Sequence, residues 1–244
     1  MVLAAAREDK PTVAVILMFL AVFLFTLIDS SAKWLILYGL PAVQVIFARY
    51  CGAFLVLILL FIPRGGLNQF VSNNPKLQFS RAIALLGGTT FNFLALQFLP
   101  ITTTIAIFFA MPLVITVLGY FILGEKVGFR RFAAVFVGFL GVLIIIQPWG
   151  QDFHWAMILS VAALFCASSY FVLTRLLAGQ DNNSTSQLWS SGVATFAIAP
   201  FALQSWHWPQ TNMGFCVLVI IGVFGAISHI LATRAHLLAN ASTL

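Results

Sequence analysis

The sequence predicts an all-α integral membrane protein with about eight transmembrane helices. Of the 244 residues, 61% are hydrophobic and 7% are charged, and the mean hydropathy is +1.05. A soluble domain carries about 25% charged residues, so this chain has too few of them to cover a surface that faces water. The long apolar runs and 25 phenylalanines indicate that lipid is the solvent.

Eight apolar runs have the length of about 17–25 residues that a membrane-crossing helix needs. They lie near residues 13–35, 41–62, 81–99, 101–123, 129–147, 154–175, 187–204 and 213–233. Proline, glycine and asparagine separate the runs, as is usual for connections between helices. Residues 1–12 are predicted to form a polar cytoplasmic lead, and the first run is predicted to be an uncleaved span.

Lysine and arginine predict the orientation, because they are enriched in cytoplasmic loops. With the N-terminus in the cytoplasm, ten of the 12 basic residues fall in the cytoplasm or at the cytoplasmic interface of the membrane: Arg7, Lys10, Arg64, Lys76, Arg81, Lys126, Arg130, Arg131, Arg175 and Arg234. Lys33 lies at the outer end of the first run and Arg49 lies inside the second. This distribution predicts a multi-pass protein of the inner (plasma) membrane. It also explains the net charge of +6 without nucleic acid, since the basic residues form no continuous face.

The sequence predicts no metal site, cofactor or disulfide. Cys51, Cys166 and Cys216 all lie within apolar runs, which favours buried packing residues. An intramembrane enzyme would need paired carboxylates, or a G-x-S-x-G nucleophile with a histidine. The apolar runs contain one acid, Asp29, and no G-x-S sequence. There is no phosphate-binding loop either, so ATP is not expected to drive the protein.

Small residues recur at four-residue spacing in several runs. The pairs are Ala84 with Gly88, Ala134 with Gly138, Ala163 with Ala167, and Gly222 with Ala226. In lipid, such pairs let helices approach closely. They predict a compact bundle rather than separate anchors.

Two stretches of the chain share one pattern. Leu96 to Ile105 resembles Ala235 to Leu244, 139 residues further on: each has a polar residue, an apolar pair and then a hydroxyl-rich helix start. If the repeating unit has five helices, its odd number inverts the second copy in the membrane, a layout common in secondary transporters. The sequence therefore predicts an inverted repeat, with helices 1–5 in residues 13–147 and helices 6–8 in residues 154–244.

Several short motifs follow one another in an order and spacing known from one family. They are Phe47-Ala48-Arg49-Tyr50 with Gly52-Ala53, Ala95-Leu96-x-Phe98-Leu99-Pro100 with Ala106-Ile107, Met111-Pro112-Leu113, Leu123-Gly124-Glu125-Lys126, and Arg234-Ala235-His236 with Ala239, Ala241 and Ser242. In these residues the chain resembles the drug/metabolite transporter superfamily, specifically the EamA-type transporters. The resemblance implies two five-helix halves that alternate around a central site. Against that pattern, two further helices are expected after Leu244, so the sequence is interpreted either as a fragment or shortened gene product, or as a chain that assembles differently.

The resemblance implies a secondary transporter that moves a small metabolite across the inner membrane. An amino acid, a vitamin and a nucleoside-like compound all stay open as the substrate, as do import, export and the coupling ion. An inactive or partner-dependent membrane subunit is the alternative, because the resemblance implies two more helices in the second repeat than this sequence contains. The expected partners are the small molecule and the lipid bilayer, and a homodimer stays open.

Ionisable residues inside the apolar runs are the first candidates for a site, because they are costly in lipid. Asp29 lies 11 residues before Leu40, and Arg49 lies 9 after it. At this similar depth we expect the two to pair across the hairpin, with Lys33 one turn above Asp29. In the functional interpretation, Arg49 or Lys33 binds an anionic group of the substrate, or Asp29 binds a proton. A purely structural ion pair explains these residues equally well. For His229, a side chain that reaches the membrane interface is favoured over a proton relay.

Uncharged polar residues and a proline form the second set of candidates. The candidates for contact with substrate are Asn92, Gln97, Ser168, Ser169 and Tyr170, with Phe108 and Met111 as an apolar cavity wall and Pro112 as a hinge. Pro112 removes one helix hydrogen bond, so a kink is expected near Phe108. Helix packing remains open as the explanation for the others.

Overall fold

Helices make up nearly all of the described chain. The structure, a computed structural model, describes residues 11–124, 128–147, 150 and 153–238. Within these residues there are nine α-helices and no β-strand. The helices are α1 (Pro11–Leu37), α2 (Ala42–Gly65), α3 (Pro75–Phe98), α4 (Ile101–Phe108), α5 (Met111–Leu123), α6 (Phe129–Ile146), α7 (Ala156–Leu176), α8 (Asn183–Gln204) and α9 (Asn212–Leu238), and a short 3-10 helix covers Leu67–Phe70.

Six segments of the described chain are long and apolar enough to cross a membrane, which agrees with the predicted all-α membrane fold. They are Thr12–Leu37, Ala42–Gly65, Pro75–Phe98, Ile101–Leu123, Ala156–Leu176 and Asn212–Ala235. Two of the eight predicted spans fall short of this measure. The apolar part of α6, Ala133–Ile144, is short, and α8 carries many hydroxyl side chains on its buried face.

The fourth predicted span is broken rather than merely kinked. Helix α4 ends at Phe108 and α5 begins at Met111, with Phe109 and Ala110 in a turn between them. Pro112 is the second residue of α5. A proline has no N–H to continue the ladder of hydrogen bonds, and its ring crowds the preceding turn. The break therefore lies just before Pro112.

Helix α3 begins six residues earlier than the apolar run predicts. The side-chain oxygen of Asn74 accepts a hydrogen bond from the Leu77 N–H, and Pro75 occupies the first helical position. Both residues are typical of helix starts. The helix therefore begins with about one and a half polar turns before the apolar run. As a result Arg81, expected at the membrane interface, lies well inside α3.

The main contacts of the bundle join helices that are far apart in the sequence. Helix α1 packs on α9, α3 packs on α7, and α2 and α3 both pack on α8, while α2 also packs on α9. Helix α6 lies against α4 and α5. Large apolar side chains such as Phe19, Phe121, Phe136 and Phe196 point away from the bundle. That outer surface suits contact with lipid.

Small residues lie where helices come closest. An alanine at 222 would place its Cβ 2.7 Å from the Gly52 Cα, so α2 and α9 meet backbone to backbone at these two glycines. A side chain at Gly88 of α3 would meet the Ala167 backbone nitrogen of α7 at 3.3 Å. These contacts agree with the close packing that the small-residue spacing predicts.

Candidate functional site

Four buried side chains form a hydrogen-bonded chain in the middle of the bundle. The Arg49 Nη2 lies 2.9 Å from His229 Nε2, and His229 Nδ1 lies 3.1 Å from the Tyr170 hydroxyl. On the other side, Arg81 Nη2 donates to the same hydroxyl at 2.8 Å. These residues come from α2, α9, α7 and α3, so the row of hydrogen bonds joins four helices through polar groups.

The two arginines approach this chain from opposite ends of the bundle. Arg49 is seven residues into α2 and Arg81 is six residues into α3. Each Cα is therefore roughly 10 Å from the start of its helix, at about 1.5 Å per residue. Because α2 and α3 are successive antiparallel helices, their starts lie at opposite ends. The guanidinium groups extend inward from these positions.

The hydrogen bonds fix the tautomer of His229. Arginine can only donate, so His229 Nε2 must accept the bond from Arg49. A neutral imidazole then carries its hydrogen on Nδ1, which donates to the Tyr170 hydroxyl oxygen. Phe25 covers one side of the imidazole, with a ring-centroid separation of 4.9 Å. A charged imidazole has no acceptor for Arg49, so this arrangement holds His229 in its neutral form.

Arg81 is completely buried, and its five N–H donors are all used. Its acceptors are the side-chain oxygens of Thr174, Ser190, Tyr170 and Thr233 and the backbone oxygen of Ser186. The guanidinium also lies over the Tyr170 ring, 4.5 Å from its centroid. Every partner is uncharged, so the Arg81 side chain is well held while its positive charge is not neutralised there.

Arg49 is held more loosely. Its Nη1 donates to Thr89 at 2.7 Å, and Thr89 in turn lies 2.6 Å from the Tyr50 hydroxyl. The buried Arg49 Nε has no hydrogen-bond partner in the protein. Only 5% of the residue is exposed. Arg49 is thus a buried cation with unused donors.

A cavity lies beside Arg49. It is lined by Arg49, Tyr50, Ala53, Leu57, Leu85, Gln187, Ser190, Ser191, Gly225, Ala226 and His229. Five of these residues are small or apolar, and the other six carry hydroxyl, amide, imidazole and guanidinium groups. In this conformation the cavity has room for about one water molecule.

Asp29 does not form the expected direct pair with Arg49. Its carboxylate accepts a hydrogen bond from Asn92 Nδ2 at 3.0 Å, whereas Arg49 binds Thr89 and His229. The charge of Arg49 still acts on Asp29 at longer range. Similar depth in the membrane does not fix which way two side chains point around their helices, and here they point to different partners.

Lys33 binds the end of a neighbouring helix instead of the site. Its Nζ donates to the backbone oxygens of Leu96 at 2.5 Å and Leu99 at 3.0 Å, at the C-terminus of α3. A cation there satisfies carbonyls that have no partner within the helix and complements the helix dipole. The structure therefore gives Lys33 a role in holding α1 to α3.

The remaining candidates lie away from the central cavity. Gln97 is exposed, Ser169 binds the Phe165 carbonyl of its own helix, and Ser168 is buried with no hydrogen-bond partner for its hydroxyl. Phe108 and Met111 lie on either side of the break between α4 and α5, and neither lines the cavity. The structure thus brings Arg49, Tyr170 and His229 together, and His229 is buried rather than at the interface.

The apolar runs do not predict most of the polar residues around Arg81. They predict Arg81 itself at the interface, because it begins the run at residues 81–99. The polar residues around it are Thr174, Ser186, Gln187, Ser190 and Thr233. One signal was present: six of the eight residues from Asn183 to Ser190 are polar, although they belong to a helix in an apolar chain. Such a helix must turn those groups inward when lipid surrounds it.

Polar contacts join separate parts of the chain at both ends of the bundle. At the end that holds the α2–α3 and α7–α8 connections, Asp181 accepts hydrogen bonds from Ser72, the Asn73 N–H and Gln78. We call these four residues the first latch. Partial burial raises the pKa of the Asp181 carboxyl, but the hydrogen bonds from Ser72, Gln78 and Asn73 outweigh it and hold that pKa below its usual value.

At the opposite end, the Gln44 side chain forms two hydrogen bonds with the His207 backbone. Its Nε2 donates to the His207 oxygen at 2.6 Å, and its Oε1 accepts from the His207 N–H at 2.9 Å. We call Gln44 and His207 the second latch. It joins α2 to the α8–α9 connection. The cavity beside Arg49 therefore lies between two sets of polar contacts, one toward each end of the bundle.

The described residues offer no metal site. No group of three His, Cys, Asp or Glu side chains gathers among them. Cys51 and Cys166 are half-buried and Cys216 is exposed, so none of these free thiols is the buried packing residue that the sequence predicts. The polar interior is built from arginine, histidine, tyrosine, hydroxyls and amides.

Apolar helices around a buried polar cavity define a multi-pass membrane protein with a site in its interior. The model of the EamA-like transporter family matches residues 12–147. The chain belongs to this family, which confirms the resemblance found in its sequence. It is a membrane transporter by family.

Curated proteins similar to the chain have transporter names. The riboflavin transporter of Vibrio cholerae serotype O1 is 30% identical over 245 residues, which cover 96% of this chain and 80% of that protein. The riboflavin transporter of Rhizobium johnstonii is 27% identical, covering 98% of this chain and 79% of that protein. The S-adenosylmethionine uptake transporter of Rickettsia bellii is 26% identical, with coverages of 90% and 76%.

Proposed function

We propose that this protein is a secondary transporter that carries a vitamin or a nucleoside-like metabolite across the inner membrane by alternating access. The observation that carries the proposal is the central cavity, where buried Arg49 and His229 lie beside Gln187, Ser190 and Ser191. Ionisable groups are kept inside a membrane bundle mainly where they serve function. The names of the relatives, riboflavin and S-adenosylmethionine transporters, favour these two substrate classes over an amino acid.

The pairing of helices supports eight crossings in an inverted repeat of residues 13–147 and 154–244. Counting α4 and α5 as one broken crossing turns the nine described helices into eight. In such a repeat, α1 corresponds to α7, α2 corresponds to α8 and α3 corresponds to α9. The contact between α1 and α9 then corresponds to the contact between α7 and α3. In the same way, the contact between α2 and α9 corresponds to the contact between α8 and α3. All four of these are main contacts of the bundle. A two-fold axis in the membrane plane produces this relationship.

The two latches support alternating access. Each joins parts of different proposed repeats, and they lie at opposite ends of the cavity. Opening one while the other stays closed exposes the cavity to one side at a time. We place the first latch on the cytoplasmic side, and the N-terminus with it, because exposed Arg64, Lys76 and Arg234 lie at that end.

Uptake into proteoliposomes tests the proposal. The purified full chain is reconstituted, and entry of radiolabelled riboflavin and of S-adenosylmethionine is measured against empty liposomes. We expect saturable uptake of at least one compound, competed by its unlabelled form. The variant Arg49→Gln should lose that uptake, and the exposed-residue control Arg64→Gln should keep it. A folded chain that moves neither compound would contradict the proposal and favour the partner-dependent subunit.

A further inference from the structure

Arg49 has free hydrogen-bonding capacity in the middle of the protein. A guanidinium carries five N–H donors. The described bonds of Arg49 use one donor each on Nη1 and Nη2, to Thr89 and His229, and Nε has no partner in the protein. Nearby Arg81 differs, since its five bonds use all of its donors. Of the two arginines that are buried in the described part of the chain, only Arg49 has donors left to bind a further group without losing a hydrogen bond to the protein.

The charge around Arg49 is not balanced by the protein. Asp29 is the one acid in the described helices, and its hydrogen bond comes from Asn92. The acceptors of Arg49 and Arg81 are neutral oxygen or nitrogen atoms. Among the described helices, two buried guanidinium groups are thus accompanied by one carboxylate, which leaves an excess of positive charge. A buried charge is costly unless an opposite charge accompanies it.

The geometry of Arg49 suits one kind of opposite charge. Nε and one Nη of a guanidinium form a planar fork that matches the two oxygens of a carboxylate. The residue also lines the cavity, together with Gln187, Ser190 and Ser191, whose polar groups can bind other parts of a ligand.

We propose that the transported molecule carries a carboxylate, and that Arg49 binds this carboxylate through Nε and an Nη. Arg81 keeps its hydrogen bonds to the protein. Its positive charge, on the far side of Tyr170 from His229, adds to the attraction for the carboxylate. The inference rests on the proposed transport function, because it assigns a chemical feature to the substrate of the same cavity. The inference also distinguishes between the two compounds named for the similar transporters, because S-adenosylmethionine has a carboxylate and riboflavin has none.

Matched ligands test the inference with the unaltered protein. Binding to the full chain in nanodiscs is measured for S-adenosylmethionine against its decarboxylated form, and for a 10-carboxymethyl flavin against its carboxamide. We expect the carboxylate member of at least one pair to bind tenfold or more tightly than its partner. The variant Arg49→Gln should remove this difference, Arg49→Lys should keep part of it, and Arg64→Gln should leave it unchanged.

The two proposals can fail separately. Equal affinity within both pairs, with uptake into liposomes intact, would overturn the carboxylate inference and leave the transport function standing. A tenfold preference for the carboxylate in nanodiscs, together with no uptake of any ligand, would support this inference and contradict transport. Loss of the fold in Arg49→Gln does not affect the test, because the ligand pairs are compared on the unaltered chain.

Discussion

Arg49 and Arg81 are linked through only two intervening side chains, His229 and Tyr170. The first arginine belongs to α2 and the second to α3, yet the residues between them come from α9 and α7. A change at either arginine therefore alters contacts in both proposed repeats. The two differ in one respect: Arg81 is saturated by the protein, and Arg49 is not. We expect substitutions of Arg81 to affect mainly stability and those of Arg49 mainly binding.

Arg81→Gln should destabilise the fold. The change leaves several buried oxygens without their donor, and we expect the free energy of unfolding to fall by about 1–3 kcal/mol. Thermal unfolding in detergent measures the loss. Arg64→Gln is the matched control, because Arg64 is exposed and binds its own helix at Leu60; it should change stability by less than about 0.5 kcal/mol. Equal unfolding temperatures for the two variants would contradict the structural role of Arg81.

His229→Phe should reduce uptake while the protein still folds. Phenylalanine fills a similar space but cannot accept from Arg49 or donate to Tyr170. Losing a hydrogen bond to a charged group costs about 1.5–3 kcal/mol, so we expect uptake to fall roughly tenfold to a hundredfold. Ser169→Ala is the control, since Ser169 bonds to its own helix at Phe165. Unchanged initial rates in His229→Phe would rule out a role for the imidazole in positioning Arg49.

Asp181 should make stability depend on acid pH. Its pKa in the folded protein lies below the ordinary value of about 3.9. The stabilisation is therefore complete above about pH 5, one unit above the unfolded pKa, and is lost as the pH falls through the folded pKa. Thermal unfolding of the unaltered chain between about pH 3 and 7 should show this loss. Asp181→Asn should flatten the acid part of the profile, and two superimposable profiles would contradict the prediction.

Cross-linking the first latch should stop transport reversibly. Ser72→Cys with Asp181→Cys, in a chain whose Cys51, Cys166 and Cys216 have been replaced, places two thiols where a hydrogen bond now joins the residues. A short bifunctional thiol reagent with a reducible linker then holds this end closed. We expect uptake to cease and to return when the linker is reduced. Each single cysteine variant serves as its own control, and uptake that persists in the fully cross-linked protein would show that this end need not open.

Gly222→Ala should disrupt the crossing of α2 and α9. The added Cβ would lie 2.7 Å from the Gly52 Cα and 2.9 Å from its carbonyl carbon, so the backbones must move apart. We expect a loss of about 1–3 kcal/mol. Gly141→Ala is the matched control, because a Cβ there meets nothing within 4 Å and alanine favours a helix by about 0.5–1 kcal/mol. If both variants unfold at the same temperature, the crossing is not tightly packed.

The helices and the family could be predicted because both depend on local sequence. Apolar length alone places most helix ends within a few residues, and Pro112 predicts a disturbance where α4 ends. The start of α3 was misplaced because hydropathy ignores a polar first turn, although Asn74 and Pro75 mark it. That single shift explains why Arg81 was not predicted as an interior residue.

The contacts of the site could be predicted only in part. Charge inside an apolar run identifies Arg49 and His229 as unusual, but depth alone does not give the direction of a side chain around its helix. Each residue turns a helix by about 100°, so Asp29 and Arg49 share a depth and bind different partners. The neighbours of Arg81 lie 89 to 152 residues away in the chain, and no pattern in a single sequence specifies such contacts.

The glycine contact between α2 and α9 has a mechanical consequence. No side chains interlock at Gly52 and Gly222. The two helices can therefore tilt against each other, with this contact as the pivot. Gly52 lies 10 residues from Ala42 and 13 from Gly65, the ends of α2, which gives lever arms of roughly 15 and 20 Å. A tilt of about 10° then moves the two ends of α2 by roughly 3 Å in opposite directions, enough to separate hydrogen-bonded atoms beyond about 3.5 Å.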